Sequence, residues 1–305
     1  MKNYSAFDDN LLTPQSIHNC WFPKDSLASE DACLSLIDTL FPSNHPHNPI
    51  GRGDDCAIVT MPPHVAISTD SFLEDSHFRT SYFSPREVGA KALASAVSDI
   101  GAAGAIPLGF SLDLMIPANM GTATLRQLME GMAHVAKQHG ILLTGGDTAK
   151  SDRLGICVTV WGKSVSSQEN FFLNRAVARP LDTIFCAGAL GLAKAGLLLL
   201  EKQGRPALEK FPLACQSHLW PEALTAQGEA IARFSLQYPS EHLCSETAGI
   251  ENPSVKMTET KTPYTHQPET RLSDTKKPAT SPLNTGTPVI GILRYFRPLW
   301  RPCWC

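Results

Sequence analysis

Four acidic segments stand out in the first half of the chain. Gly53-Asp54-Asp55-Cys56-Ala57 sets two adjacent carboxylates before an apolar run. If that run is a strand, alternation sends the two acids to opposite faces, so that only one can point at a common site. Ala66-Ile67-Ser68-Thr69-Asp70 ends another apolar run in two hydroxyls and an acid. Mg²⁺ takes carboxylate, hydroxyl, carbonyl and water oxygens, so a strand end of this kind is a reasonable ligand source. Asp99 lies on a helical stretch, where its neighbours three and four positions away are Ser95, Ala96, Ala102 and Ala103. An acid on such a packing face is costly unless something pairs with it. A salt bridge, a hydrogen bond from Ser95 or a shared metal ion would meet that need, and the shared ion is the tighter account. Finally, Leu142-Leu143-Thr144-Gly145-Gly146-Asp147-Thr148 reads as an apolar strand that turns through two glycines into an acid and a hydroxyl. Glycines let backbone N–H groups approach phosphate oxygens without a Cβ in the way.

Any one of these acids also fits a solvated turn. Together, four acidic elements within about a hundred residues suggest Mg²⁺ ions bridging a polyphosphate. The chain has no Walker A loop, no protein-kinase loop pair and no dinucleotide-binding glycine fingerprint. It has no nucleophile elbow and no evident Cys-His couple. Phosphoryl transfer needs neither, because the protein's task there is to align two oxygens and neutralise developing charge.

The elements that must position these residues alternate between strands and helices from about residue 49 to about residue 200. Strand-like runs fall at 56–61, 65–69, 108–115, 154–162 and 183–187. One long helix starts at Ser84, with Pro85 at its first position and Glu87 completing a capping box, and runs toward Gly101. A second spans Thr122 to Gln138, with Leu125, Leu128, Met129, Met132, Val135 and Ala136 on its apolar stripe and Gly140 to end it. Residues 1–48 read as a leader with one helix, capped by Ser29 and carrying Cys33, Leu34, Ile37 and Leu40. The fold class expected is α/β (α+β), a mixed sheet with flanking helices.

Composition bounds the rest. The 305 residues are 43% apolar, and 26 basic against 29 acidic residues give a net charge of −3. That balance offers no general attraction for nucleic acid or an anionic membrane, so an acidic substrate must be met locally. No apolar run approaches the ~18 residues of a membrane span, and the start lacks a secretory signal. Nine cysteines without a Cys-x-x-Cys pair argue against a zinc ribbon or a full disulfide framework, and Cys56, Cys157 and Cys186 read as reduced core residues. From Glu251 to Pro288 the text is rich in Thr, Pro and Lys, a composition that cannot bury enough apolar surface to offset chain entropy, so disorder is expected there.

In order and spacing, five motifs resemble the thiamine-monophosphate kinase family: Gly53-Asp54-Asp55-Cys56-Ala57, Ser68-Thr69-Asp70, His77-Phe78, Val97-Ser98-Asp99-Ile100 through Gly104-Ala105-Ile106-Pro107, and Gly145-Gly146-Asp147-Thr148. The resemblance covers roughly residues 49–232. It implies the amino-terminal fold of the aminoimidazole ribonucleotide synthetase superfamily, whose members use ATP at an acidic, metal-rich dimer interface. By this similarity Asp55, Ser68, Thr69, Asp70, Asp99 and Asp147 would hold Mg²⁺, His77 would contact thiamine phosphate, and Gly146, Asp147 and Arg175 would contact ATP. The implied reaction is ATP plus thiamine phosphate giving thiamine diphosphate and ADP, carried out by a cytoplasmic homodimer without a phosphoenzyme. His77 equally fits a histidine packed at a strand end, and Arg175 a surface residue.

The likeness then breaks. Leu181 stands where the family has a turn glycine, and the family's Ile-Ser-Asp-Gly-Leu motif has no counterpart here. The text beyond about Ile231 looks like a shifted reading frame or a degraded gene. The expected organisation is a leader at 1–48, an ATP and Mg²⁺ domain at 49–165, the start of a second domain at 166–235 and a non-matching, disordered tail at 236–305. Impaired activity follows as an expectation. The alternatives are a non-catalytic module that binds nucleotide or thiamine phosphate, and another ATP-dependent synthetase of the superfamily.

Overall fold

The structure is a computed structural model that describes residues 12–27, 29–42, 50–168, 170–175 and 186–238. The expected tail from residue 239 onward and most of the run 183–187 lie outside the described residues.

Four strands form one mixed sheet in the order β1-β4-β2-β3: β1 Val65–Leu73, β2 Ile106–Pro117, β3 Leu142–Ser151 and β4 Gly155–Lys163. β4 pairs antiparallel with both β1 and β2, and β2 pairs parallel with β3. The parallel pair needs a crossover, and α4 (Thr122–His139) supplies it. α3 (Pro85–Ala102) joins β1 to β2 and packs on the same face of the sheet. Phe72, Phe110, Leu112, Leu114, Ile156, Val158 and Val160 point into this helix-covered core. The opposite face carries the alternate residues, among them Ile67, Thr69, Ser71, Asp113 and Asp147, all exposed.

The capping signals behave as expected. Ser84 Oγ accepts from the Glu87 N–H, and Glu87 Oε2 accepts from the Ser84 N–H at 2.8 Å, a complete capping box. Gly140 ends α4 in the left-handed region. α3 and α4 cross closely because Gly89 lies against the Leu128 carbonyl and Gly131 against the Arg86 carbonyl, where an added Cβ would come within 1.9 and 2.0 Å of the oxygens. Arg86 and Glu130 close the crossing with an ion pair at 2.6 Å.

Four sequence expectations need correction, the last of them on the cysteines. The leader holds two helices, α1 (Pro14–Trp21) and α2 (Glu30–Leu40), and both share the main core through Ile17, Trp21, Leu36, Ile37 and Phe41. The run 56–61 is not a strand: it makes a single bridge, Ile50 to Ile58, before Pro62 and Pro63, which have no N–H with which to extend a ladder. Gly145 and Gly146 do not turn the chain, because β3 continues through them, with a bulge that leaves Thr144 out of register just before them. Gly146 is needed for a close approach instead, since a Cβ there would lie 1.8 Å from the Leu112 carbonyl oxygen.

Beyond the sheet, α5 (Leu192–Gln203), α6 (Ala207–Lys210), α7 (Pro212–Leu219) and α8 (Thr225–Gln237) follow, with α7 and α8 packed on α3. No helix among the described residues is long and apolar enough to cross a membrane. Cys56 and Cys186 are exposed and Cys157 half-buried, so none of the three is a core residue, although all are free thiols.

Candidate functional site

β1 carries the densest set of candidate groups. Its pairing with β4 continues to Leu73, so Ser68, Thr69 and Asp70 sit within the strand and not at its end. Alternation separates them: Ser68 and Asp70 share the helix-covered face with Phe72, whereas Thr69 points to the open face, where its hydroxyl meets that of Thr159 at 2.9 Å. On the covered face Ser68 Oγ donates to Asp99 Oδ2 at 2.6 Å, joining β1 to the last turns of α3. The partner that offsets the half-buried carboxylate of Asp99 is therefore Ser68, not Ser95. Ser68, Asp70 and Asp99 form a half-buried patch of hard oxygen donors.

The other acids lie elsewhere. Asp147 is on the open face of β3, at the far edge of the sheet, with β2 and β4 between it and β1. Three strand spacings make this about 14 Å. Its register partner is Asp113, an acid that sequence reading missed because the pairing joins strands far apart in the chain. Asp54 and Asp55 occupy an exposed arch, where the Asp55 N–H donates to Asp54 Oδ1 at 2.8 Å. Among the described residues no three His, Cys, Asp or Glu side chains gather as a metal centre. The donor chemistry of Ser68, Asp70 and Asp99 suits Mg²⁺, but one chain does not bring all six residues expected to bind metal together.

His77 follows β1 on a turn in which Asp75 takes a φ of 64° and accepts ion pairs from Arg153 at 2.6 Å and Arg79 at 3.6 Å. The Leu73 N–H donates to His77 Nδ1 at 3.0 Å, which puts the imidazole proton on Nε2. Burial lowers its pKa, so the ring is neutral near pH 7. Phe72 stacks on it with centroids 5.5 Å apart. Arg175 is exposed and lies two residues beyond Leu173, whose N–H donates to the Ala103 carbonyl. The backbone just before Arg175 is thus tied to the end of α3 that carries Asp99.

Behind His77 lies a buried ionic cluster that sequence reading also missed. Arg205 donates to both carboxylate oxygens of Glu87, at 2.8 and 3.0 Å, with 2% of Arg205 and 4% of Glu87 exposed. Lys91 donates to the His218 carbonyl at 2.6 Å and stands 5.0 Å over the Phe83 ring. Burial pulls the Lys91 pKa down to about 7 and that of His218 to about 2. The available signal was Glu87 and Lys91 one turn apart, with only small or apolar residues between them.

Comparison with known proteins bears on the family and the fold. The family described as AIR synthase related protein, N-terminal domain, matches residues 53–164. The thiamine-monophosphate kinase of Bacillus subtilis is 32% identical over 231 residues, covering 72% of this chain and 70% of that protein. Those of Synechococcus elongatus, 32% identical, and Haemophilus influenzae, 34% identical, align over 55% and 59% of this chain, which spans only about half their length, 49% and 53%. Among solved structures, thiamine monophosphate kinase from Aquifex aeolicus superposes with a TM-score of 0.52 at 26% identity, over 67% of this chain and 64% of that one. The structure described as AaThiL complexed with AMPPCP and TMP gives 0.51 at 25%, over 67% of this chain and 62% of that one. The sheet with its flanking helices is the same fold, and by both sequence and structure the chain belongs to the thiamine-monophosphate kinase family.

Proposed function

We propose that this chain is a thiamine-phosphate kinase, transferring the terminal phosphoryl group of ATP to the phosphate of thiamine phosphate. A phosphate oxygen of the acceptor forms the new P–O bond, the bond between the β- and γ-phosphates of ATP breaks, and ADP leaves. The observation that carries this reading is the Ser68–Asp99 hydrogen bond between β1 and α3, with Asp70 on the same face of β1 and the His77 turn at the end of that strand, in a chain of this family.

In this proposal Mg²⁺ is held by Asp55, Ser68, Thr69, Asp70, Asp99 and Asp147, and when bound it neutralises phosphate charge. Gly146, Asp147 and Arg175 contact ATP. His77 donates through Nε2 to thiamine phosphate. Within one chain Asp147 and Thr69 lie on the open sheet face and Ser68 and Asp70 on the covered one. A cytoplasmic homodimer formed through the open face is the assembly that would give Thr69 and Asp147 a shared site, and exposed Ile67 and Leu73 on that face support it.

Isothermal titration with AMPPCP, with and without Mg²⁺, tests the nucleotide half. Metal-dependent binding is expected, and Asp70→Asn should weaken it at least tenfold. A folded protein that binds no nucleotide in either condition contradicts the proposal. Binding of both ligands with no ADP release identifies a binding module instead.

A further inference from the structure

Arg52 sits immediately before the acidic arch, yet its side chain turns away from Asp54 and Asp55. Its Nε and Nη2 donate to Asp38 Oδ1 at 3.0 and 2.8 Å, Nη2 donates to the Phe41 carbonyl at 2.8 Å, and Nη1 donates to the Leu143 carbonyl at 2.7 Å. Asp38 and Phe41 belong to the end of α2, and Leu143 belongs to β3, four residues before Asp147. The guanidinium is therefore a three-way joint between α2, the arch and the strand that bears Asp147, and only 12% of the side chain is exposed. Planar geometry with five donors makes arginine suited to such a joint, and lysine could not reproduce it.

The arch is built around this anchor. Its base is closed by the Ile58 N–H donating to the Ile50 carbonyl at 2.9 Å. Gly53, with a φ of 109°, reverses the backbone directly after Arg52 and carries the two acids outward while the arginine goes inward. An arginine two or three positions from two carboxylates could instead have paired with them. Asp38 engages it from the opposite side, and among the described residues neither Asp54 nor Asp55 is in an ion pair.

We propose that Arg52 is a positioning residue: by bonding Asp38, Phe41 and Leu143 together, it fixes the Asp54-Asp55 arch against β3 with its carboxylates open to a divalent cation. This inference rests on the proposed metal-dependent nucleotide site.

The test compares wild type, Arg52→Met, Arg52→Lys and Asp38→Asn. It reads amide hydrogen exchange at residues 53–57 without ligand, the Mg²⁺ concentration giving half-maximal AMPPCP binding, and the affinity for thiamine phosphate. Arg52→Met should speed exchange in the arch and raise the Mg²⁺ midpoint about tenfold, with thiamine phosphate affinity unchanged within about twofold. Arg52→Lys, able to keep one or two of the four bonds, should fall between it and wild type. If Arg52→Met does not fold, Asp38→Asn decides, with the same direction and a smaller effect expected. A wild type that binds nucleotide with Mg²⁺ while the folded variants keep its midpoint overturns the positioning role alone. A wild type without metal-dependent binding overturns the proposed function and this inference with it. Equal losses of both ligands reveal a general structural staple and overturn the specific role.

Discussion

His77 illustrates how a backbone contact sets side-chain chemistry. Because the Leu73 N–H donates to Nδ1, the ring proton lies on Nε2, and burial lowers the pKa so that the ring resists a second proton. It can offer one neutral hydrogen-bond donor to an anion without bringing a charge. A hydrogen bond to a charged group contributes about 1.5–3 kcal/mol, so His77→Ala should raise the KM for thiamine phosphate roughly 10- to 100-fold, leaving AMPPCP affinity near wild type. The pH dependence follows from the direction of the shift. With the folded pKa below the ordinary 6.5, the imidazole is mostly neutral as pH falls from 8 to 7, and the ratio of KM values between His77→Ala and wild type should change little over that window. Steady-state kinetics at several pH values checks both points. A ratio that climbs steeply below pH 7.5 would mean that a charged imidazole binds the phosphate.

The capping box of α3 is the element in which local signal and tertiary role coincide. Glu87 caps the helix and also holds the buried guanidinium of Arg205. Removing one partner of a buried ion pair leaves the other charge uncompensated, so Glu87→Gln should destabilise the fold by about 3–5 kcal/mol in denaturant titration. The double variant Glu87→Gln/Arg205→Met should recover part of that loss, whereas additive losses would show that the two side chains act independently. Ser84, Pro85 and Glu87 were legible in the sequence because capping is a contact over three residues. What was not legible depended on distant partners. A Gly-Gly pair reads alike in a turn and in a tight strand pairing, and only Leu112, on a strand more than thirty residues earlier, decides between them. The acids of β1 and β3 were recognisable as a set, but their placement at opposite edges of the sheet follows from strand order, which residue spacing does not encode. Asp113, Arg52 and the Lys91 cluster stayed hidden for the same reason.

For the whole molecule, α3 is the hub: one side covers the sheet, and the others receive α4, α7 and α8. Lys91 locks α7 to that hub from a fully buried position, where Glu87, His218 and His77 feel its charge. Its folded pKa of about 7 lies below the unfolded value of 10.5, so between these pH values the unfolded chain binds a proton that the folded chain does not. Raising the pH through that window must favour folding, by up to about 1.4 kcal/mol per pH unit, and lowering it through 7 imposes the full cost of the buried charge. Relative to Lys91→Met, wild type should therefore gain stability from pH 7 to pH 9 in denaturant titrations; a difference independent of pH would contradict a neutralised Lys91. Beyond the sheet, Leu190, Leu198 and Leu213 are well exposed, before α5, on α5 and on α7 respectively.

The central claim is that the groups on β1 and the turn after it serve phosphoryl transfer to a phosphate. Incubation of the purified chain with ATP, Mg²⁺ and thiamine phosphate, followed by phosphorus NMR, tests it most directly. The expected result is thiamine diphosphate and ADP appearing in equal amounts, with both lost in Asp70→Asn. ADP and inorganic phosphate without thiamine diphosphate, or no turnover by a folded protein that binds both ligands, would contradict it.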